Sequence, residues 1–169
     1  MKRLCRNDTP GTLHRLWPAM LALAVATSTA ASAQFTTRHV YPDPSSAHED
    51  LDKALAAAKH DHKRILLDFG ADWCGDCIVL DYYFTQPPNA SLLAHNFIKV
   101  DVNVGHYDSN LDLAKRFSIP LKLGVPALAV LNPDGKLLFA QQHKEFEHMA
   151  QLQSSDVTTF LNRWKPPAR

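Results

Sequence analysis

The sequence predicts an α/β fold with one mixed central sheet flanked by helices on both faces. Three observations carry that prediction. Short apolar runs at 65–69, 97–102 and 126–131 suit buried strands. Segments with apolar residues at i, i+3, i+4 and i+7 alternate with them and suit amphipathic helices. A turn signal, Asn132-Pro133-Asp134-Gly135, joins the third run to a fourth at 136–140. The last two strands should therefore be antiparallel, while a helical crossover should leave the first two parallel.

The N-terminal stretch reads as a targeting leader. Lys2, Arg3, Arg6 and Arg15 form a basic region, and residues 16–26 are mostly apolar, broken only by Pro18. Ala31-Ser32-Ala33 then places small residues at signal-peptidase spacing, which predicts cleavage of residues 1–33 before Gln34. The alternative is an uncleaved membrane anchor, for which the apolar run is short against a bilayer core of about 30 Å. No Cys follows the apolar run to carry a lipid, and no twin-arginine pair is present.

Residues 34–46 read as an irregular lead-in, with Pro42 and Pro44 breaking any regular element, and 47–165 as the folded domain. Ser46 with Glu49 three residues on is a capping-box signal. Leu51, Ala54, Leu55 and Ala58 then share one helix face. A strand is expected over 64–69, followed at once by Cys74-Gly75-Asp76-Cys77 and a helix to about Phe84. Pro87-Pro88-Asn89 punctuates the chain, and 92–95 is a short helical piece. Residues 108–117 suit a helix with Leu111, Ala114 and Phe117 on one side. Ser154 or Ser155 is expected to cap a last helix carrying Val157, Phe160, Leu161 and Trp164 on one face, ended by Pro166-Pro167.

The chain has 169 residues, 46% of them hydrophobic and 21% charged, which suits one globular domain plus an extension, and shows no internal repeat. Without residues 1–33, the remaining 136 residues carry a net charge of −2 and no basic block. That composition gives no reason to expect a nucleic acid or an anionic membrane surface as partner.

Of three cysteines, Cys5 falls in the leader, so Cys74 and Cys77 stand alone in the mature chain. A loop this small removes little entropy from the unfolded chain, so the pair is a poor staple and points to chemistry. Its expected place, where a strand ends and a helix begins, presents unpaired N–H groups and the positive end of the helix dipole. A thiolate at Cys74 gains from both, and Cys77 lies one turn on. Cys74 is thus the candidate attacking thiol and Cys77 the thiol that resolves the mixed disulfide. The other readings are an inert bridge or half of a zinc site. No second Cys pair exists, and the eight remaining histidines are scattered, which disfavours zinc.

The run Leu67-Asp68-Phe69-Gly70-Ala71-Asp72-Trp73-Cys74-Gly75-Asp76-Cys77 resembles the active-site strand and loop of the thioredoxin family, including the Trp before the first Cys. The resemblance continues at Phe97-Ile98-Lys99-Val100-Asp101-Val102 and at Gly124-Val125-Pro126-Ala127-Leu128, and spans about 47–165. It implies a thioredoxin fold and several roles. Asp68 matches a buried acid that moves the proton of the inner thiol. Lys99 matches a lysine near that acid, and Pro126 a cis-proline facing the disulfide. The Val125 backbone would pair with an extended substrate, and Trp73 would flank the motif as an apolar docking surface. Asp68 as a solvated strand-end acid, Lys99 as a surface lysine and Pro126 as an ordinary strand opener are the alternatives.

The motif also departs from the thioredoxin pattern, with Asp76 where a proline is usual and no mid-helix proline afterwards. The layout from Asp81 to Phe97 is more similar to the C-terminal domain of the periplasmic transmembrane thiol reductase. Gly75 and Asp76 are therefore candidate redox-tuning positions. A carboxylate about 7 Å from the Cys74 sulfur would oppose its thiolate by roughly 0.6–2.4 kcal/mol, for effective dielectric constants of about 80 to 20. Destabilising the thiolate makes the pair a better reductant.

These readings add up to an exported thiol–disulfide oxidoreductase, periplasmic or secreted and monomeric. It would act on protein disulfides as a reductant, with no cofactor or metal beyond the Cys74–Cys77 disulfide. Client proteins are its expected partners, and a membrane thiol reductase its electron donor. The alternatives are a dedicated reductant for cytochrome c or copper-site maturation, and a non-catalytic binding or chaperone module on the same scaffold.

Overall fold

The computed structural model describes residues 39–167, so the predicted leader lies outside the described residues. The strand β1 (Arg64–Gly70) runs through the middle of a four-stranded sheet. β2 (Phe97–Asn103) lies parallel to it on one side, and β3 (Ala127–Leu131) antiparallel on the other. β4 (Leu137–Ala140) pairs antiparallel with β3 at the edge, giving the order β2-β1-β3-β4. The predicted parallel first pair and antiparallel last pair are both present.

The helices cover both faces, as the α/β prediction requires. Successive side chains of a strand point to opposite faces, and β1 divides its apolar residues accordingly. Ile65, Leu67 and Phe69 face one layer, where α1 (Ala47–Asp61) buries Leu51, Ala54 and Ala58, and α4 (Leu111–Arg116) buries Leu113 and Ala114. Leu66 faces the other layer with Leu128 and Val130 of β3. There α2 (Gly75–Thr85) brings Leu80 and Phe84, and α5 (Ser154–Trp164) brings Val157 and Leu161. Each fully buried aliphatic side chain contributes about 1.5–3 kcal/mol relative to exposure. α3 (Asn89–Asn96) packs its Leu92 and Leu93 against the second layer.

Four local expectations are corrected. Ser46 does not cap α1: it closes a 3₁₀ turn opened by Pro44, and its hydroxyl donates to Asp50 Oδ2 at 2.6 Å. The lead-in is thus not wholly irregular, since proline fits the first position of a helical turn. Leu111 is exposed, because residues 105–110 fold into turns in which the N–H groups of Tyr107, Asp108 and Ser109 all reach the Val104 carbonyl. The helix consequently starts three residues later than predicted. Gln153, not a serine, caps α5, in a reciprocal box with Asp156. Finally, α3 begins at Asn89, earlier than predicted, directly after a cis Pro87–Pro88 bond. The buried Asn89 side chain donates to the carbonyls of Tyr83 and Ser154 and accepts from Thr158, which ties α2 and α3 to α5. No described helix is long and apolar enough to cross a membrane.

Candidate active site

Cys74 ends the loop after β1 and occupies the N-cap of α2, and Cys77 sits in the first turn. The two are joined as a disulfide with Cα atoms 5.2 Å apart. Cys74 Sγ takes the place of a capping oxygen, accepting from the Cys77 N–H at 3.2 Å. A negative charge on that sulfur would lie on the positive end of an 11-residue helix. Cys74 is 7% exposed and Cys77 fully buried, so only the first sulfur lies toward solvent.

The loop before β3 faces this sulfur. The Val125–Pro126 bond is cis, and the Val125 carbonyl oxygen lies 3.5 Å from Cys74 Sγ. Gly124 precedes it with φ of 111°, a backbone conformation that L side chains rarely adopt. Behind the loop, the buried Gln141 donates to the Pro126 carbonyl at 3.1 Å and accepts from the Leu128 N–H at 3.1 Å. On the outer rim, Trp73 is 47% exposed, donates to the Gly105 carbonyl at 2.7 Å and stacks on His106 with centroids 5.8 Å apart. Tyr107 leans against the same indole at 5.5 Å.

Beneath the motif lies a charged cluster. Asp68 of β1 is fully buried, and its Oδ1 accepts from the Tyr41 hydroxyl at 3.1 Å. Lys99 of β2 reaches Asp68 Oδ2 at 3.5 Å and Asp81 Oδ1 at 3.4 Å, and also contacts Asp101. Burial pushes the Asp68 carboxyl up to about 7; the Lys99 ammonium holds it down in part, and Asp101 adds to the rise. Burial likewise raises Asp101. For Lys99, burial works against the ammonium, but the carboxylates of Asp68 and Asp101 outweigh it and raise its pKa. A buried carboxyl whose pKa is raised toward neutrality is suited to exchanging a proton with a neighbouring group.

The thioredoxin-like family model matches residues 46–133, just over half of the chain. This chain belongs to the thioredoxin-like family. It is 29% identical over 144 residues to the thiol:disulfide interchange protein DsbD 2 of Pseudomonas aeruginosa, covering 75% of this chain and 24% of that protein. The chain thus spans about a quarter of that relative's length. Among solved structures, a disulphide isomerase from Xylella fastidiosa Temecula1 is similar at 34% identity and a TM-score of 0.72, covering 76% of this chain and 98% of that one. The DsbD C-terminal domain of Neisseria meningitidis in its reduced form shares the fold, at 21% identity and a TM-score of 0.51, over 70% of this chain and 96% of that one. The described residues form a thioredoxin-like thiol–disulfide oxidoreductase domain with its Cys-x-x-Cys pair bridged.

Within this thioredoxin-like domain, the residues predicted from sequence fall into two groups. Trp73, Cys74, Val125 and Pro126 gather at the outer sulfur, and Asp68 and Lys99 gather in the buried cluster. Gly75 has open space around it. Asp76 is engaged elsewhere, its two carboxylate oxygens accepting from the backbone N–H groups of His148 and Met149 at 3.0 and 3.1 Å. Sequence reasoning missed Tyr41, Gln141 and the Trp73 neighbours His106 and Tyr107. Asp101 was visible within the second motif but had no assigned role. Tyr41 had one signal, an aromatic residue directly before Pro42 in a segment that otherwise reads as irregular.

Proposed function

We propose that this protein exchanges thiols and disulfides with protein clients outside the cytoplasm and runs as a reductant. The observation that carries the reading is the asymmetry of the pair: one sulfur at a helix N-terminus facing the Val125 carbonyl, the other fully buried and crowding the same space beside Gly70 as the Tyr41 hydroxyl that donates to Asp68. In the dithiol form, the Cys74 thiolate attacks a client disulfide sulfur. A Cys74–client bond forms, and the client's other sulfur leaves and takes up a proton. Cys77 then gives its proton to the Asp68 carboxylate and attacks Cys74 Sγ. The Cys74–Cys77 bond forms, and the second client sulfur leaves as a thiolate that takes a proton from solvent.

In this reading Trp73 and the Val125–Pro126 loop hold the client, and Lys99 offsets the cost of a charge on the buried Asp68. No group beyond the two sulfurs carries electrons. A dithiol donor must then restore the pair, and a membrane thiol reductase is the class we assign to it. The basic and apolar N-terminal stretch supports export, with cleavage after Ala33. Asp76 beside the first cysteine favours the reducing direction, because a carboxylate there opposes the thiolate. The likeness to a protein described as a disulphide isomerase favours isomerisation as a second reading.

The decisive experiment pairs insulin reduction with capture. The reduced protein should reduce insulin, and Cys77→Ala should accumulate mixed disulfides through Cys74. A reduction potential well above that of the ER poise, roughly −180 to −210 mV, would rule out the reducing direction. Rearrangement of scrambled ribonuclease without net reduction would select the isomerase reading.

A further inference from the structure

Tyr41 comes from the lead-in, ahead of the stretch matched by the family model, yet it is only 4% exposed and packs within the same apolar cluster as both cysteines. Two constraints put it there. The Asp72 carboxylate accepts from the N–H groups of Val40 and Tyr41 at 2.8 and 3.0 Å and pairs with His39 at 2.8 Å, fastening the lead-in to the active-site loop. Gly70 then supplies room for the ring. A Cβ there would lie 2.2 Å from the Tyr41 hydroxyl oxygen and 2.9 Å from Cys77 Sγ, so the phenol and the inner sulfur converge on the space a side chain would fill.

An apolar ring would pack in this cluster equally well. The hydroxyl instead costs desolvation unless it is bonded, and its partner is Asp68 Oδ1 at 3.1 Å. Asp68 Oδ2 is left without a hydrogen bond among the described residues, 3.5 Å from Lys99. Resting on the exchange reading above, we propose that Tyr41 is a positioning residue for proton transfer at the inner sulfur, holding the Asp68 carboxyl through Oδ1 and shielding that side of Cys77. Oδ2 is the oxygen open to a proton. The proton leaves Cys77 as its sulfur attacks Cys74, and Asp68 becomes neutral while the Cys74–client bond breaks.

The groups that act on Asp68 are Lys99 and Asp101 from β2 and Tyr41 from the lead-in, and Asp81 of α2 shares Lys99 with it. The Tyr41 hydrogen bond favours the carboxylate against burial and Asp101. Removing the hydroxyl should therefore make Asp68 a carboxylate only at higher pH.

The test is Tyr41→Phe in the full chain, reading the pH profile of single-turnover insulin reduction by the pre-reduced protein. The midpoint should rise by at least about half a pH unit, with a roughly twofold slower rate at pH 7 that recovers at pH 9. In an Asp68→Asn background the same substitution should change nothing further. A profile superimposable on the parent's, or the full twofold loss persisting with Asp68→Asn, overturns the proposal. Should Tyr41→Phe fail to fold, Asp72→Ala, which unfastens the lead-in, must shift the midpoint in the same direction, and an unshifted profile overturns the proposal equally. If the parent protein itself does not reduce insulin, the exchange reading falls; if it does and the midpoint stays, only the role of Tyr41 falls.

Discussion

The two sulfurs of one disulfide look onto different media. Around Cys74 the surroundings are backbone and exposed rings: the α2 N-terminus, the Val125 carbonyl and the Trp73–His106–Tyr107 stack. Around Cys77 they are closed, and of the charges below it Asp68 is fully buried while Lys99, Asp81 and Asp101 are partly exposed. The contrast separates two demands of thiol chemistry. An attacking sulfur needs access and a field that favours negative charge. A resolving sulfur needs a place to put its proton and protection from other thiols. The first is met by main-chain geometry at one turn, and the second by side chains drawn from the lead-in, β1, β2 and α2.

The sharpest way to break this contrast is to remove each sulfur in turn. Cys74→Ala should abolish insulin reduction and leave no mixed disulfides on a non-reducing gel, whereas Cys77→Ala should abolish turnover yet accumulate them. Equal trapping by both variants would mean that the two sulfurs are interchangeable. Next in size, Asp68→Asn should slow the resolving step by about 100-fold, the lower range for loss of a general acid or base, while the first attack, followed by Trp73 fluorescence, stays within about twofold.

The same substitution should change stability with a defined sign. The folded pKa of Asp68, about 7, lies above the unfolded carboxyl value of about 3.9. Between those values the folded protein binds the extra proton. Its stabilisation is therefore complete below about pH 4 and is lost as the pH rises through 7. The parent should melt at a lower temperature at pH 8 than at pH 5, and Asp68→Asn should flatten that difference; parallel melting curves for the two proteins would sink the assignment. Smaller again, Trp73→Ala should raise KM for insulin by three- to tenfold and leave reduction of a small aromatic disulfide unchanged. Smallest, Asp76→Asn should raise the reduction potential by no more than about 30 mV, or about 1.4 kcal/mol, because its carboxylate is already held by the His148 and Met149 N–H groups. An unchanged or lower potential would remove Asp76 from the tuning residues.

The outer half of the site was legible because it is written in contiguous residues. The strand, the Trp, the Cys-x-x-Cys spacing and the Gly-Val-Pro-Ala motif are local, and the strand order follows from the alternation of apolar runs. The inner half was only partly legible. Asp68 and Lys99 lie 31 positions apart in sequence, and only the parallel β1–β2 pairing brings them together. Tyr41 was hidden by its prolines, which argue for an irregular segment and are silent on whether that segment is buried. Leu111 was misplaced because turn residues with positive φ, such as Tyr107 and Asn110, interrupt what reads as one helix. Gln141 could not be inferred, since its role depends on reaching the Pro126 carbonyl across the sheet edge.

Gly70 contributes no chemical group, yet both a phenol oxygen and a cysteine sulfur crowd the point where its Cβ would be. In a saturation screen it should therefore tolerate as few replacements as the cysteines, with alanine already excluded. Selection at this position acts on an empty volume one carbon in size, and a catalogue of reactive side chains would pass over it.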